Sequence, residues 1–242
     1  MRHTLELTPR NLARMIDISA VQAVHTGTDL GQLVAVAVEY DFIAVHALPN
    51  WTRTLADMLR ATPRVLVGGP VGFPSGGHKT ITKVFEARAM VEDGVQEMDL
   101  MINVGRLKSG ETAYVADEIA AVAEAAGKVP LKVILESGYL SPDEIRVGVE
   151  ACVAGGAAFV KTSTGWTSKG ATIEDVKLIA EAAAGRISIK ASGGIRDLDT
   201  VAAMLRLGVT RFGINAIASR RIIADLAGLP GGALVVEGVS DA

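Results

Sequence analysis

Short β-branched runs recur along this chain, each closed by a polar or glycine-rich turn and followed by a segment of helical period. That alternation restricts the fold more than any other feature. The runs span 16–19, 42–47, 65–69, 97–103, 131–137, 158–162, 187–192 and 210–214. The helical segments span 29–40, 51–61, 78–93, 112–126, 142–154, 173–183, 197–207 and 216–226, with apolar residues at i, i+3, i+4 and i+7. In 112–126, for example, Val115, Ile119, Val122 and Ala126 share one face. The punctuation agrees. Ser141 precedes Pro142–Asp143–Glu144, a helix start with an acid at the third position. Thr172 precedes a first turn with Glu174 and Asp175, while Gly94, Gly127 and Gly208 follow helices as stop residues. Strands alternating with helices predict an α/β protein with a parallel sheet. Eight such units in 242 residues predict a closed (β/α)8 TIM barrel in a single domain. The alternative, an open doubly wound sheet, would place a glycine-rich turn after an early strand, and the first run has none. Residues 1–228 form the barrel in this reading. Residues 229–242, rich in glycine, are expected to be a flexible tail or a subunit contact.

Composition fits. Hydrophobic residues make up 49% of the chain but aromatics only 4%, so the core is aliphatic, as where helices cover parallel strands. The net charge of −3, with no basic block, points away from nucleic acid and anionic membranes. No apolar stretch reaches the roughly 18 residues of a spanning helix, and MRHTLELTPRNLARMID lacks the apolar centre of a secretory signal. The single cysteine, Cys152, allows no internal disulfide and suits the cytoplasm; its place in a helix predicts a small buried apolar residue.

The stretch FVKTSTGW (159–166) ends an apolar run on Lys161, a costly residue to bury. In a barrel the C-terminal strand ends meet at one mouth. That geometry gathers Asp17, His46, Asp99, Asn103, Glu136, Lys161, Lys190, Gly193, Gly194 and Gly213. Lys161 and Lys190 end neighbouring strands. Two ammonium groups held close disfavour each other's charge, which leaves one a free amine able to attack a carbonyl. The alternative is that each lysine sits in a structural ion pair. Asp99 alternates with Met98, Leu100 and Ile102, so it projects to the opposite face; it either relays protons or only pairs with a lysine. KASGGIRD (190–197) runs from a strand into a helix, and Ser192, Gly193, Gly194 and Gly213 suit an anion site of backbone N–H groups, or a tight turn without a ligand. The histidines His3, His25, His46 and His78 lack zinc-site spacing, so no metal is expected. His46 either lines the pocket or is structural. The loop VGFPSGGHKT (71–80) either covers the mouth or turns the chain.

These stretches resemble the deoxyribose-phosphate aldolase family of Schiff-base aldolases with (β/α)8 barrels. The match is carried by VGFPSG (71–76), KVFEARAMVEDGVQEMDLMINVGRLKSG (83–110), LKVILESGYL (131–140), FVKTSTG (159–165), GATIEDVKL (170–178), IKASGGIRD (189–197) and TRFGINA (210–216). The resemblance implies that Lys161 forms the Schiff base, that Lys190 perturbs it and shuttles protons, and that Asp99 is the acid of the same relay. It implies supporting roles for Asp17 and Lys132, and substrate contacts from Thr164, Gly165, Ser192, Gly193, Gly194 and Gly213. Ser19 stands where the family usually has threonine, and His46 where it commonly has cysteine. Asn215–Ala216 replaces two serines that grip phosphate; Asn215 can still donate a hydrogen bond. The expected reaction is reversible cleavage of 2-deoxyribose 5-phosphate to glyceraldehyde 3-phosphate and acetaldehyde, with no cofactor. Two other readings stand: an aldolase for a non-phosphorylated or differently substituted sugar, and a sugar-phosphate-binding barrel without turnover. The expected partners are a small-molecule substrate and further copies of the chain, as a homodimer or higher homo-oligomer.

Overall fold

The structure, a computed structural model, describes residues 2–240. Strands β1 (Arg2–Leu7) and β2 (Ile16–Ala20) flank helix α1 (Pro9–Ala13). Then follow α2 (Gly27–Tyr40), β3 (Ala44–Ala47), α3 (Thr52–Leu59), β4 (Leu66–Val71), α4 (Thr80–Asp93) and β5 (Glu97–Met101). The second half runs α5 (Val104–Lys108), α6 (Thr112–Ala126), β6 (Leu131–Ile134), α7 (Pro142–Ala154), β7 (Phe159–Lys161), α8 (Ile173–Ala183), β8 (Ser188–Ser192), α9 (Leu198–Arg206), β9 (Val209–Gly213), α10 (Ala216–Ala227) and β10 (Leu234–Ser240). Strands β2 to β9 close a parallel barrel in chain order, the expected (β/α)8 architecture, with β2 pairing β9.

Local signals set the helix ends. Ser141 and Glu144 form a reciprocal capping box at α7, and the Thr172 hydroxyl accepts from the Asp175 amide at α8. Gly94 ends α4 in the left-handed region, where a side chain would be strained.

Alternation along the strands sorts the side chains. Ile16, Ile18, Val45, Met98, Leu100, Val133, Val160, Ile189 and Phe212 face the helices and are fully or nearly fully buried in one continuous apolar core. Each such burial contributes about 1.5–3 kcal/mol. Cys152 lies in this core, and burial pushes its thiol up, out of reactive range.

Several expected strands are shorter than their apolar runs. The run 97–103 stops at Met101, because the Asn103 side chain accepts from the Arg106 amide and starts α5. The run 131–137 stops at Ile134, and Glu136 adopts a left-handed backbone with φ 55°. The flexible tail expected over 229–242 is corrected by β10, which pairs antiparallel with β1 and buries Val236 and Val239. Its last two residues lie outside the described range. The Ser240 hydroxyl donates to the Arg206 carbonyl at the end of α9, so this pair sits under the barrel, away from the mouth. No helix among the described residues is long and apolar enough to cross a membrane.

Candidate active site

On every barrel strand but β4, the face that turns away from the helices carries ionisable groups. Asp17 and Ser19 come from β2, His46 from β3, Glu97 and Asp99 from β5, Lys132 from β6, Lys161 from β7, Lys190 from β8 and Arg211 from β9. Register does the gathering: Lys161 pairs with Lys190, Asp99 with Lys132, and Asp17 with Gly213.

One oxygen, Oδ2 of Asp99, accepts from both Lys161 Nζ at 2.7 Å and Lys190 Nζ at 2.8 Å. Lys190 also reaches Asp17 Oδ2 at 2.6 Å. The other Asp99 oxygen faces His46 Nε2 at 3.3 Å and Lys132 Nζ at 3.5 Å. Lower in the barrel, Arg211 donates to Asp17 at 2.5 Å and to both oxygens of Glu97 at 2.7 and 3.2 Å. Lys132 sits 2.9 Å from Glu97. His46 has room because β4 offers Gly68 beside it: a Cβ there would lie 2.5 Å from the imidazole ring.

The cluster thus joins the bases Lys132, Lys161, Lys190 and Arg211 to the acids Asp17, Glu97 and Asp99. With every group in its usual state it would hold one positive charge too many. His46 does not add another, since burial lowers its pKa against the opposing pull of Asp99. Among the described residues, three of the bases touch two carboxylates each, whereas Lys161 touches Asp99 alone. Burial lowers Lys161 to about 8; Asp99 opposes that shift and the charge of Lys190 reinforces it. Burial also pulls on Lys190, but Asp17 and Asp99 outweigh it and hold Lys190 above its usual value. The expected mutual repulsion of the lysines is therefore present and secondary to burial. Burial pushes Asp99 and Asp17 upward, and the surrounding cations overturn this and hold both carboxyls below the usual range.

A cavity of ≈ 670 Å³ opens above this layer. Lys161, Lys190, Asp99, Asp17, His46 and Ser19 form its floor and inner wall, and Thr164, Gly165, Ser192, Gly193, Gly194, Gly213 and Asn215 also line it. Lys132, expected as a supporting residue of the pocket, does not; it is fully buried beneath Asp99. Two hydroxyls expected to meet substrate are already committed. Thr164 donates to Glu136, and Ser192 donates to the Ser163 carbonyl. The Asn215 side chain accepts from the Ala218 amide and caps α10. Gly193 and Gly194 have φ of 90° and 79°, as a tight loop requires. The helix after them starts only at Leu198, capped by Asp197, so the helix start that borders the cavity is that of α10, at Ala216 and Ile217. Of the remaining strand-end candidates, Asn103 caps α5 and Glu136 takes the amide and hydroxyl of Thr164 and the hydroxyl of Thr167. The loop 71–80 contributes Phe73, which meets Trp166 edge-on at 5.8 Å. Trp166 Nε1 in turn donates to the Val21 carbonyl, so loops after β2, β4 and β7 meet at the mouth.

Sequence reading missed Glu97 and Arg211. Both lie two residues before a candidate on the same strand, Asp99 and Gly213, and period-two alternation places them on the same face. Among the described residues, Asp17, His46 and Glu97 are the group whose donor atoms come within 4.8 Å of one another, as a metal would need. Their carboxylates already carry Arg211, Lys190 and Lys132, so ammonium and guanidinium groups stand where a cation would.

A closed parallel barrel that presents an amine of lowered basicity to a roomy cavity has the form of a carbonyl-handling enzyme. The chain belongs to the DeoC/LacD family of aldolases, whose family model matches residues 14–221. It is 54% identical over 232 residues to a deoxyribose-phosphate aldolase of Rhizobium meliloti (strain 1021), covering 96% of this chain and 94% of the relative. A Klebsiella pneumoniae deoxyribose-phosphate aldolase is 48% identical over 225 residues, covering 92% and 90%. Among solved structures, the tetrameric deoxyribose phosphate aldolase from Aeropyrum pernix superposes with a TM-score of 0.84 at 26% identity, covering 92% of this chain and 94% of that one.

Proposed function

We propose that the chain is a deoxyribose-phosphate aldolase that cleaves 2-deoxyribose 5-phosphate reversibly through a Schiff base on Lys161. The observation that carries this is the asymmetry of the two lysines. Lys161, 8% exposed, lines the cavity with one carboxylate partner, while Lys190 is 1% exposed and held by two. The free amine of Lys161 attacks C1 of the open-chain sugar. Loss of water leaves an iminium, which serves as an electron sink. A water held by Asp99 and Lys190 takes the C3 hydroxyl proton. The C2–C3 bond then breaks, and its electrons pass into the enamine. Glyceraldehyde 3-phosphate departs. Protonation at C2 and addition of water release acetaldehyde and restore the amine. Positioned acid–base groups of this kind contribute roughly 10²–10⁴ in rate.

Reductive trapping tests the assignment. Acetaldehyde with borohydride should leave an ethyl group on Lys161 and nowhere else in the barrel; an unmodified Lys161 overturns it.

A second reading concerns the substrate. The hydroxyls of Thr164 and Ser192 are committed, Asn215 caps α10, and Ile217 is 84% exposed at the same end of the cavity. Those features favour an aldehyde without phosphate. Equal kcat/KM on phosphorylated and plain sugars would establish it, and a strong preference for phosphate would remove it. The functional reading extends to a homo-oligomer in the cytoplasm, supported by the tetrameric relative and the lone buried thiol.

A further inference from the structure

Among the described residues, the ionisable side chains of Glu97, Lys132 and Arg211 lie beneath the layer of Lys161, Lys190 and Asp99 and do not line the cavity. We propose that these are positioning residues that fix how many protons the layer above can hold, and so make Lys161 the amine that goes free. The inference rests on the aldolase reading, in which Lys161 is the nucleophile.

The contacts form one connected network. Arg211 bridges Glu97 and Asp17, and Lys132 bridges Glu97 and Asp99. Asp17 and Asp99 in turn hold Lys190, and Asp99 holds Lys161 and faces His46. These groups face Lys161 from β2, β3, β5, β6, β8 and β9. Behind the strands lies one continuous apolar core. An unbalanced charge in such a setting is costly, so the network favours the state with equal numbers of positive and negative groups. Four bases against three acids reach that state by losing one proton. The base with the fewest carboxylate contacts loses it, and that base is Lys161.

Charges placed out of reach of any substrate should therefore steer the amine, with opposite signs. Glu97→Gln leaves four bases to two acids, so the Lys161 proton leaves at lower pH. Lys132→Met leaves three to three, so Lys161 keeps its proton to higher pH. The double variant restores a surplus of one.

The experiment is the rate of reductive trapping of acetaldehyde by the full chain, followed against pH. Below the limb of that profile, moving it by one pH unit changes the free-amine fraction about tenfold. The expected result is an acid-ward limb and faster trapping at neutral pH for Glu97→Gln, an alkaline limb and slower trapping for Lys132→Met, and a return towards wild type for the double variant. Lys132→Arg, which keeps the charge, should leave the limb in place. Should Lys132→Met fail to fold, Arg211→Met must give the same alkaline shift. Limbs that move together, or stay fixed while trapping slows, overturn the inference. Absence of any adduct on Lys161 in the wild-type chain sinks the aldolase reading instead.

Discussion

Lys83 and Lys161 are both buried lysines ending on a carboxylate, but they sit in different regions. Lys83, on α4, lies between helices and barrel. Its Nζ donates to Glu118 at 2.8 Å and to the Met101 carbonyl at 2.9 Å, and both side chains of the ion pair are 0% exposed. Burial pulls Lys83 below its ordinary value while Glu118 opposes, much as burial and Asp99 act on Lys161. A lowered pKa thus does not separate the two. What separates them is the surrounding count and access. Lys83 has one acid to itself and lies away from the cavity; Lys161 shares its acid with Lys190 in a cluster with a surplus base, and opens onto the cavity. Buried amines become candidate nucleophiles through that combination rather than through burial alone.

The strongest way to break this comparison is to remove each amine. Lys161→Leu should abolish turnover and trapping while the chain stays folded, because Asp99 keeps Lys190. Turnover at the wild-type rate would end the nucleophile assignment. Asp99→Asn should lower kcat by about 10²–10⁴-fold, as expected for loss of a positioned acid–base group, with an adduct on Lys161 still detectable by mass spectrometry. Lys83→Met should act oppositely, leaving Glu118 buried and unpaired: about 3–5 kcal/mol of stability is lost in urea titration, with kcat per folded molecule retained. A catalytic defect without a stability defect would erase the distinction.

The smallest expected effect is in the pH dependence of stability. Lys161 binds its proton less tightly folded than unfolded, with a value of about 8 against an ordinary lysine's roughly 10.4. Between those values the unfolded chain holds more protons, so the Lys161 contribution raises stability as pH increases. Urea midpoints for wild type and Lys161→Leu should differ in slope across that window. Parallel slopes would show that the lysine is not depressed in the folded state.

Much of the barrel and the meeting of Lys161, Lys190 and Asp99 was legible because each depends on local pattern. Strand alternation reports which way Asp99 points, and the parallel register of β7 and β8 makes Lys161 and Lys190 partners, although Lys161 ends its strand and Lys190 lies two residues short of the end of its own. The lower layer was harder to see. Glu97 opens β5 and Arg211 sits in the middle of β9, so neither stands at a C-terminal strand end, and only the face they share with Asp99 and Gly213 betrays them. The end of the cavity around Thr164 and Ser192 resisted for another reason. Whether Thr164 or Ser192 offers a proton to a ligand depends on where its hydroxyl is already spent, on Glu136 or on the Ser163 carbonyl, and residue type does not encode that. The pairing of β1 with β10 joins stretches at opposite ends of the chain, so no neighbouring residue announces it.

That pairing has a practical consequence for anyone shortening the protein. Deleting everything past Leu229, which looks like harmless trimming of loose glycine-rich sequence, would unzip Leu7 from its partner Leu234 and discard two buried valines. The shortened barrel would expose an unpaired edge strand on its underside, an invitation to stick to other copies while its reaction chamber stayed intact.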